Sequence, residues 1–349
     1  MKEGYRLLGD FIQPVDERNR DLKVDYLLGV SISKQFIPSI ANIVGTDLSS
    51  YKIVRTGQFA YGPVTSRNGE KISIALLQDK DCIISSSYTV FEVTDNERLD
   101  PEYLMLWFSR PEFDRYTRYM SHGSVREIFD WDELCKVELP VPSIEKQRGI
   151  VKAYNTITDR IELKRKINDN LEAVLAASHS KMFFSKDTSE HSKLGELMTF
   201  GNGKSRPKTD GPIPVYGGNG VLSYTDHHNI ENAVLIGRVG AYCGSVYLEQ
   251  GICWVSDNAI FAKSKITKDE FFDYFLLKRL NLFNHHVGTG QQLLTQEILN
   301  NIEVPKPVTE QIELFNRKAA SAFETIFTNS REIIRLQELS DLLLSRLAG

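Results

Sequence analysis

Two long segments of the chain place apolar residues at the spacing of an α-helix. The first begins at Ile144 and the second at Ile312, and most apolar residues in both follow one another after three or four positions. The positions are Val151, Tyr154, Ile157, Ile161, Ile167, Leu171, Val174, Ala177 and Met182 in the first, and Phe315, Ala319, Phe323, Ile326, Ile333, Leu336, Leu343 and Leu347 in the second. This pattern predicts two helices that each carry one apolar face.

Each predicted helix has about 40 residues, so it would measure ~60 Å if continuous at 1.5 Å per residue. A helix of that length cannot bury its apolar face alone. We therefore predict that the two helices pack as an antiparallel, coiled-coil-like pair with one globular region at each end. The periodicity leaves open an alternative in which each helix folds separately onto its own domain.

The segments in front of the two helices repeat each other. Adding 165 to the residue numbers of the first segment gives the second, so that Pro140 corresponds to Pro305. The shared signature consists of Pro140, Pro142, Glu145 and Gln147 in the first copy and Pro305, Pro307, Glu310 and Gln311 in the second. This spacing is too long for a solenoid repeat, so it indicates two copies of one larger unit.

The globular regions show the same order of elements. Runs rich in β-branched and aromatic residues come first, and a short helical segment and a glycine-bearing loop follow. In the first region these are the runs Lys71–Leu77, Cys82–Ile84 and Tyr88–Val93, the helix Pro101–Phe108 capped by Asp100, and the loop Ser121–Ser124. In the second they are Ala233–Ile236, Gly244–Leu248 and Ala259–Ala262, the helix Asp269–Leu277, and the loop Val287–Gln292.

These patterns predict an α+β protein with two similar globular domains, each followed by a long helix, and with pseudo-two-fold symmetry. The predicted boundaries are 1–144 for the first domain, 145–187 for the central helix, 188–307 for the second domain and 308–349 for the C-terminal helix.

Composition is ordinary for a globular protein, with 41% hydrophobic and 25% charged residues. No apolar stretch reaches the ~18 residues of a membrane span. The start of the chain does not lead into an apolar signal segment, so we expect a cytoplasmic protein. The four cysteines, Cys82, Cys135, Cys243 and Cys253, form no C-x-x-C pair, and we expect reduced thiols.

Charge is unevenly distributed. The net charge is −4 overall, −5 over residues 1–144, +3 over 145–187, and −1 over each of 188–307 and 308–349. Each DNA phosphate that a protein neutralises needs a Lys or Arg. If this chain binds DNA, a basic partner must therefore supply part of the contact.

Familiar catalytic motifs are incomplete. Gly203-Lys204-Ser205 resembles the end of a phosphate-binding loop, but Met198 stands where that loop needs a glycine. Asp100-Pro101-Glu102-Tyr103 resembles the Asp-Pro-Pro-Tyr loop of amino-methyltransferases, yet it also fits a helix cap and lacks an upstream cofactor loop. The adjacent pairs His227-His228 and His285-His286 are expected to be surface histidines, so we expect neither a catalytic nor a metal site.

Two polar loops have residues suited to nucleic acid. Lys204, Arg206 and Lys208 alternate in a loop that leads to the glycine-rich segment Pro214–Gly220, and Thr65–Lys71 is a comparable loop in the first region. A solvated turn, or an Asn-Gly hairpin turn in the first region, is the plain alternative. The candidate DNA-binding residues are Arg55, Arg67, Asn68, Lys71, Ser124, Arg126, Lys204, Arg206, Lys208, Asn219, Tyr224, Arg238, Tyr242, Gln291 and Gln292.

The repeated Pro-x-Pro signature, followed twice by Glu and Gln and a long helix, resembles the specificity (S) subunit of type I restriction-modification systems. The segments Ile236–Val246 and Ser256–Ala259 are similar to the target-recognition domains of that family, and Gly57–Gly62 matches more loosely. The resemblance covers essentially the whole chain.

The resemblance implies a non-catalytic DNA-recognition subunit. Each target-recognition domain would read one half of a split site, and the helices would set the gap and dock two modification (methyltransferase) subunits through the signature residues. S-adenosylmethionine and ATP with Mg²⁺ would bind partner subunits rather than this chain, and two restriction subunits could join. The specificity subunit of a type IIB-like enzyme and a coiled-coil scaffold without DNA are the alternatives.

Overall fold

The computed structural model describes residues 4–39, 45–66, 68–123, 127–185, 190–288 and 290–348. The chain divides into two compact units. Unit 1 comprises Met1–Leu163 and Ile333–Gly349, and unit 2 comprises Lys164–Glu332. None of the helices among the described residues combines the length and apolar character that a membrane span requires.

Unit 1 combines short strands with helices. Its strands are β1 Tyr5–Leu7, β2 Ile12–Val15, β3 Leu28–Val30, β4 Phe36–Pro38, β5 Lys52–Val54, β6 Phe59–Tyr61, β7 Ile74–Leu76, β8 Cys82–Ile84, β9 Thr89–Val93 and β10 Glu138–Pro140. Its helices are α1 Pro101–Phe108, α2 Pro111–Met120, α3 Trp131–Cys135 and the first half of α4 Ile144–Phe183.

The main sheet of unit 1 has four strands in the order β2-β9-β6-β7, all antiparallel. Aromatic residues from this sheet form the core with α1 and α2. Phe59 stacks on Phe91 with ring centroids 4.8 Å apart, and Phe108 meets both rings edge-on. Alternation along each short strand sends these rings to the face that the helices cover.

Unit 2 has a larger sheet. Its strands are β11 His191–Lys193, β12 Met198–Asn202, β13 Ile213–Gly217, β14 Gly220–Thr225, β15 Ile230–Gly237, β16 Val246–Val255, β17 Ala259–Ser264 and β18 Glu303–Pro305. Its helices are α5 Leu194–Leu197, α6 Phe271–Arg279, α7 Gln296–Asn301, the second half of α4, and most of α8 Thr309–Ser345. The six-stranded sheet has the order β12-β17-β15-β16-β13-β14, with only β13 and β16 parallel.

The repeat found in the sequence is also structural. β10 and β18 occupy equivalent positions, and each pairs antiparallel with the first strand of its own unit. Both strands end at the proline of the signature, because proline has no N–H to continue a ladder. The pairs His122–Ile128 and Val287–Leu293 form the same isolated bridge, again 165 residues apart.

Several elements confirm their predictions. α1 covers Pro101–Phe108, and the Asp100 carboxylate accepts a hydrogen bond from the Tyr103 N–H at 3.0 Å. α6 begins two residues later than predicted. The strand expected from Lys71 begins at Ile74, because the Ile72 N–H donates to the Asp114 carboxylate instead of a neighbouring strand.

The antiparallel helix pair is confirmed. Within unit 2, Lys164 of α4 bonds Asn329 of α8, while His179 lies beside Phe315, so rising numbers on α4 meet falling numbers on α8. Within unit 1, Val151 shares a core with Leu344 of α8. The alternative of two helices that fold independently is therefore wrong.

The two helices also differ from the predicted domain limits. α4 ends at Phe183 and α8 begins at Thr309, inside the limits 145–187 and 308–349. Moreover, each compact unit contains part of both helices, whereas the linear division assigns the helices to segments of their own. The linear boundaries stay a prediction about which segments can be exchanged between proteins.

Candidate nucleic-acid interface

Each unit brings two loops together by the same backbone pairing. In unit 1, Val64 bridges Ile128, and the Thr65 N–H donates to the Glu127 carbonyl at 3.0 Å. In unit 2, Val239 bridges Leu293 in the same way. We call these pairs the recognition loops: residues 62–66 and 68–73 with 121–123 and 127–130 in unit 1, and residues 238–245 with 286–288 and 290–295 in unit 2.

The unit 2 loops lie at one end of the six-stranded sheet. The Arg238 N–H donates to the Asn258 carbonyl and the Gly240 N–H to the Gln292 carbonyl, both at 3.0 Å. The Ser245 hydroxyl donates to the carbonyls of Gly218 and Tyr242, which joins the β13–β14 turn to the same loops. The backbone is therefore well fixed where several polar side chains meet.

Two glycines make this close approach possible. A Cβ at Gly237 would lie 2.1 Å from the Tyr242 carbonyl oxygen. Gly244 has φ +83° and a Cβ there would lie 2.4 Å from the Phe283 nitrogen. Gly237 and Gly244, which both lie in the segment Ile236–Val246, are thus required for the tight loop that presents Tyr242.

Six candidate residues are gathered at this end of the sheet. We name them the sheet-end surface: Lys204, Asn219, Arg238, Tyr242, Gln291 and Gln292. Lys204 belongs to it because its N–H donates to the Val255 carbonyl at 3.0 Å, beside the β16–β17 turn. Tyr242 is 51% exposed, so its ring is accessible to a partner.

Arg238 is less accessible to solvent than the exposed members of this surface. The residue is half-buried, and in the described part of the chain its buried Nε has no hydrogen-bond partner.

Other unit 2 candidates lie elsewhere. The Thr209 and Thr225 hydroxyls are 3.0 Å apart, so the loop after Lys208 reaches the end of β14. Asn219 lies at the opposite end of that hairpin, in the turn that β13 and β14 share. Lys208 and Tyr224 are therefore separated from the sheet-end surface, and the exposed Arg206 lies between Lys204 and Lys208 along the loop.

The unit 1 candidates are less uniform. Arg55 binds the carboxylates of Glu17 and Asp81, whose hydrogen bonds raise its pKa, so a DNA phosphate would compete with both. Asn68 and the exposed Lys71 lie in the loop between β6 and β7, where Gly69 has φ +64°. This loop is longer than a two-residue hairpin turn. Arg67, Ser124 and Arg126 lie outside the described residues.

Sequence reasoning missed α2. This helix leads directly into the second recognition loop of unit 1, and its Arg118 forms an ion pair with Glu127 of that loop. Tyr119 is 83% exposed on the same helix. Pro111 at the first helical turn was a usable signal, as Pro101 was for α1. The equivalent place in unit 2 has only the short 3-10 turn Leu282–His285.

The signature residues mostly fix the start of α4. The Gln147 side chain is fully buried, accepts from the Asp100 N–H at 2.9 Å and donates to the carbonyls of Arg98 and Pro142. Glu145 is exposed, and hydrogen bonds from its own N–H and from Ser143 lower its pKa. Gln147 therefore supports the helix from inside the protein and offers no surface to a partner.

The remaining signature residues are more accessible. Pro140, Pro142, Pro305 and Pro307 are half-buried, and Glu310 and Gln311 are exposed. The Pro140 carbonyl accepts a hydrogen bond from the Tyr103 hydroxyl at 3.0 Å, which links the signature to α1.

Histidines do not form a metal site in the part of the chain that is described. There, no group of three His, Cys, Asp or Glu side chains is arranged to hold a metal ion. His227 is exposed, and its Nδ1 lies 2.8 Å from an Asp226 carboxylate oxygen.

The chain is similar to one family of known proteins over most of its length. The family described as "Type I restriction modification DNA specificity domain" matches the chain twice, over residues 39–173 and 186–342. Over 296 residues the chain is 21% identical to the specificity subunit of the type I restriction enzyme MjaIX from Methanocaldococcus jannaschii, covering 70% of this chain and 68% of that protein. It is 25% identical over 154 residues to the HindI specificity subunit from Haemophilus influenzae, covering 42% of this chain and 32% of that protein.

A solved structure shares the fold. The crystal structure of the S subunit of a type I restriction-modification system from M. genitalium covers 99% of this chain and 96% of that chain, with a TM-score of 0.66 and 17% identity.

Proposed function

Because the chain belongs to the family of type I restriction-modification DNA specificity subunits, we propose that it reads a split DNA site, one half with the recognition loops of each unit. The chain is the non-catalytic recognition subunit of such a system. The observation that carries the proposal is the duplication: both units join two loops by the same bridge, and each globular region is followed in the chain by a long helix.

Charge supports a shared contact with DNA. The chain has a net charge of −4, so its own cations cannot neutralise a long stretch of phosphates. Its exposed Lys204 and Arg206 can contribute locally, next to amide and tyrosine side chains that suit base edges. Most phosphate contacts would come from partner subunits that close around the duplex.

The partners follow from the family. We propose two modification subunits docked on α4 and α8, with two restriction subunits able to join. S-adenosylmethionine would bind the modification subunits, and ATP with Mg²⁺ the restriction subunits, so this chain needs no cofactor of its own. A cytoplasmic location is part of the same proposal.

The helices would set the gap between the half-sites. α4 has 40 residues and α8 has 37. Such helices measure ~55–60 Å, which exceeds the ~34 Å of one DNA turn, so two successive major-groove faces are within reach.

The deciding experiment maps the adenines that a complex containing this chain methylates. The chain is co-expressed with its neighbouring modification subunit in a host without adenine methylation, and N6-methyladenine is mapped across the genome. We expect one motif of two short blocks around a fixed gap. A soluble, assembled complex that methylates no such motif would contradict the proposal.

Exchange of residues 1–144 for another recognition domain sharpens the test. We expect one block to change while the other block and the gap stay the same. A change in both blocks would contradict the modular interpretation.

A further inference from the structure

The seam between α4 and α8 becomes polar within unit 2. On α4, Lys164 and Asn168 follow Ile161 at the three- and four-residue spacing of the buried face, and the next fully buried residue is Leu175. On α8, the next buried residue after Phe323 is Asn329, which is 7% exposed. Polar side chains therefore occupy positions that an apolar seam would fill with leucine or isoleucine.

These side chains form a connected network, which we name the polar cluster: Lys164, Asn168, Asn329, Ser330 and Glu332. The Lys164 ammonium donates to the Asn329 side-chain oxygen at 2.9 Å and lies 2.6 Å from a Glu332 carboxylate oxygen. The Asn329 amide donates to the Asn168 oxygen at 2.9 Å, and the Asn168 amide lies 3.5 Å from the Ser330 hydroxyl. Asn329 is thus bonded to α4 through both ends of its amide.

Lys164 and Asn329 are also equivalent positions of the repeat. They are separated by 165 residues, the same offset that relates Pro140 to Pro305. When two equivalent helices run antiparallel, equivalent positions meet only where the helices cross their common midpoint. The polar cluster therefore marks that midpoint.

A shift of one helix along the other would break this network. A slip of one heptad would place Lys164 opposite Ala322 or Leu336 instead of Asn329. The ammonium, which is only 15% exposed, would then lie against apolar side chains without its acceptors. Half-buried charges without partners are strongly unfavourable, whereas an all-apolar seam would accept several registers.

We propose that the polar cluster fixes the axial register of α4 and α8, and through it the gap between the two DNA half-sites. The second part rests on the proposed function, and the first does not. A one-heptad slip moves one helix by ~10 Å along the other, which corresponds to about three base pairs of DNA. A modest change of register would therefore change which sites are recognised.

Spin labels measure the register without DNA. Labels are attached at Lys166→Cys and Thr328→Cys, both exposed positions of unit 2, in a Cys135→Ser background that leaves the three buried cysteines. We expect one narrow distance in the otherwise unchanged chain and additional distances in the triple variant Lys164→Leu/Asn168→Leu/Asn329→Leu.

The triple variant should remain folded, because leucines in the seam replace buried polar groups with apolar packing. The matched control is Asn170→Leu, which changes an exposed residue of the same helix and should keep the single distance. A triple variant that keeps one unchanged distance would overturn the proposal.

The methylome then tests the effect on DNA. We expect the triple variant to methylate the same two half-site sequences at more than one gap, while Asn170→Leu keeps the original gap. If the triple variant shows several helix registers by spin labelling but still methylates sites with a single gap, the partner subunits set the spacing. That result would refute the link between the helix register and the DNA gap. If the unmodified complex methylates no split site, the proposed function fails, and the spin labels still decide the register.

Discussion

Gln147 and Asn316 hold the two short helices α1 and α6 in the same way. Each is a buried amide on a long helix, and each accepts a hydrogen bond from a backbone N–H at the start of the short helix, Asp100 or Phe272, at 2.9 Å. The Asn316 amide also donates to the Asp269 carbonyl at 2.9 Å. A buried amide on each long helix therefore helps to join that helix to its globular domain.

The first prediction concerns this amide. Replacing Gln147 by Leu leaves the Asp100 N–H and two carbonyls without partners, which should lower the free energy of unfolding by about 1–3 kcal/mol. The matched control is Gln311→Leu, at the exposed glutamine of the second signature copy, and it should change stability by less than about 0.5 kcal/mol. Urea unfolding of both variants measures the difference. Equal losses would refute the structural role.

The second prediction concerns acid stability. His179 lies among phenylalanine rings, 5.1 Å from the Phe183 centroid, and burial together with nearby Arg279 lowers its pKa to about 4. The unfolded chain takes up a proton near the ordinary value of 6.5, whereas the folded chain does not. This contribution to stability is therefore present above that value and is lost as the pH falls from 6.5 towards 4.

His179→Phe keeps an aromatic ring and removes the titrating group. The melting temperature of this variant should fall less than that of the unchanged protein between pH 6.5 and 4. The exposed His191→Phe serves as the control and should follow the unchanged protein. Parallel curves for His179→Phe and the unchanged protein would contradict the prediction.

The contribution of Asp273 to stability should change with pH in the opposite direction to that of His179. Burial, together with the nearby Glu270 carboxylate, raises the pKa of Asp273 to about 7. The folded chain keeps this proton while the unfolded chain loses it near 3.8. Stability from this group is present below pH 3.8 and declines as the pH rises towards 7.

Asp273→Asn should remove that decline. At pH 8 we expect a higher melting temperature, by about 2–4 °C for each kcal/mol that the buried charge costs the folded protein, for units of this size. Asp269→Asn, at an exposed neighbouring carboxylate, should have little effect at either pH. A variant that is less stable at pH 8 than the unchanged protein would count against a protonated Asp273.

The fourth prediction concerns the DNA contact. Arg206→Ala should weaken binding of the assembled complex by ~1–3 kcal/mol, specifically for one base pair, if the guanidinium binds a guanine. A smaller loss of affinity that is the same for all DNA sequences would instead identify a phosphate contact. In that case the slope of the logarithm of affinity against the logarithm of salt concentration should also fall by about one.

Arg55→Ala is the control for this experiment. Its guanidinium already binds Glu17 and Asp81, so its loss should lower stability and leave DNA affinity unchanged. Unchanged affinity of Arg206→Ala across sequences and salt concentrations would remove Arg206 from the interface.

Local signals in the sequence were enough for some elements. Asp100 and Pro101 give α1 its start, since a capping carboxylate and a fixed proline φ act within one helical turn. The long helices were predictable because their periodicity extends over many turns. The sequence also placed Lys204, Asn219 and Tyr242 among the DNA-binding candidates, and the structure gathers them at one end of a sheet.

Other features depend on contacts between distant residues. The strand order of the six-stranded sheet and the position of β13 beside β16 have no local signature. The signature glutamine looked equivalent in both copies, yet the second copy transfers its structural role to Asn316, one helical turn after the position that matches Gln147. No local signal in the sequence marks Lys164 as a residue of the helix seam, because its partner Asn329 is 165 residues away.

The division of α8 between the units affects the order in which the two units can fold during synthesis. Unit 2 is continuous, so a nascent chain can complete it once residue 332 has left the ribosome. Unit 1 must wait for residues 333–349, whose Leu344 and Leu347 pack into its core. The domain that is translated first is therefore the last to be finished, and a ribosome that stalls before these residues leaves that domain with an open core.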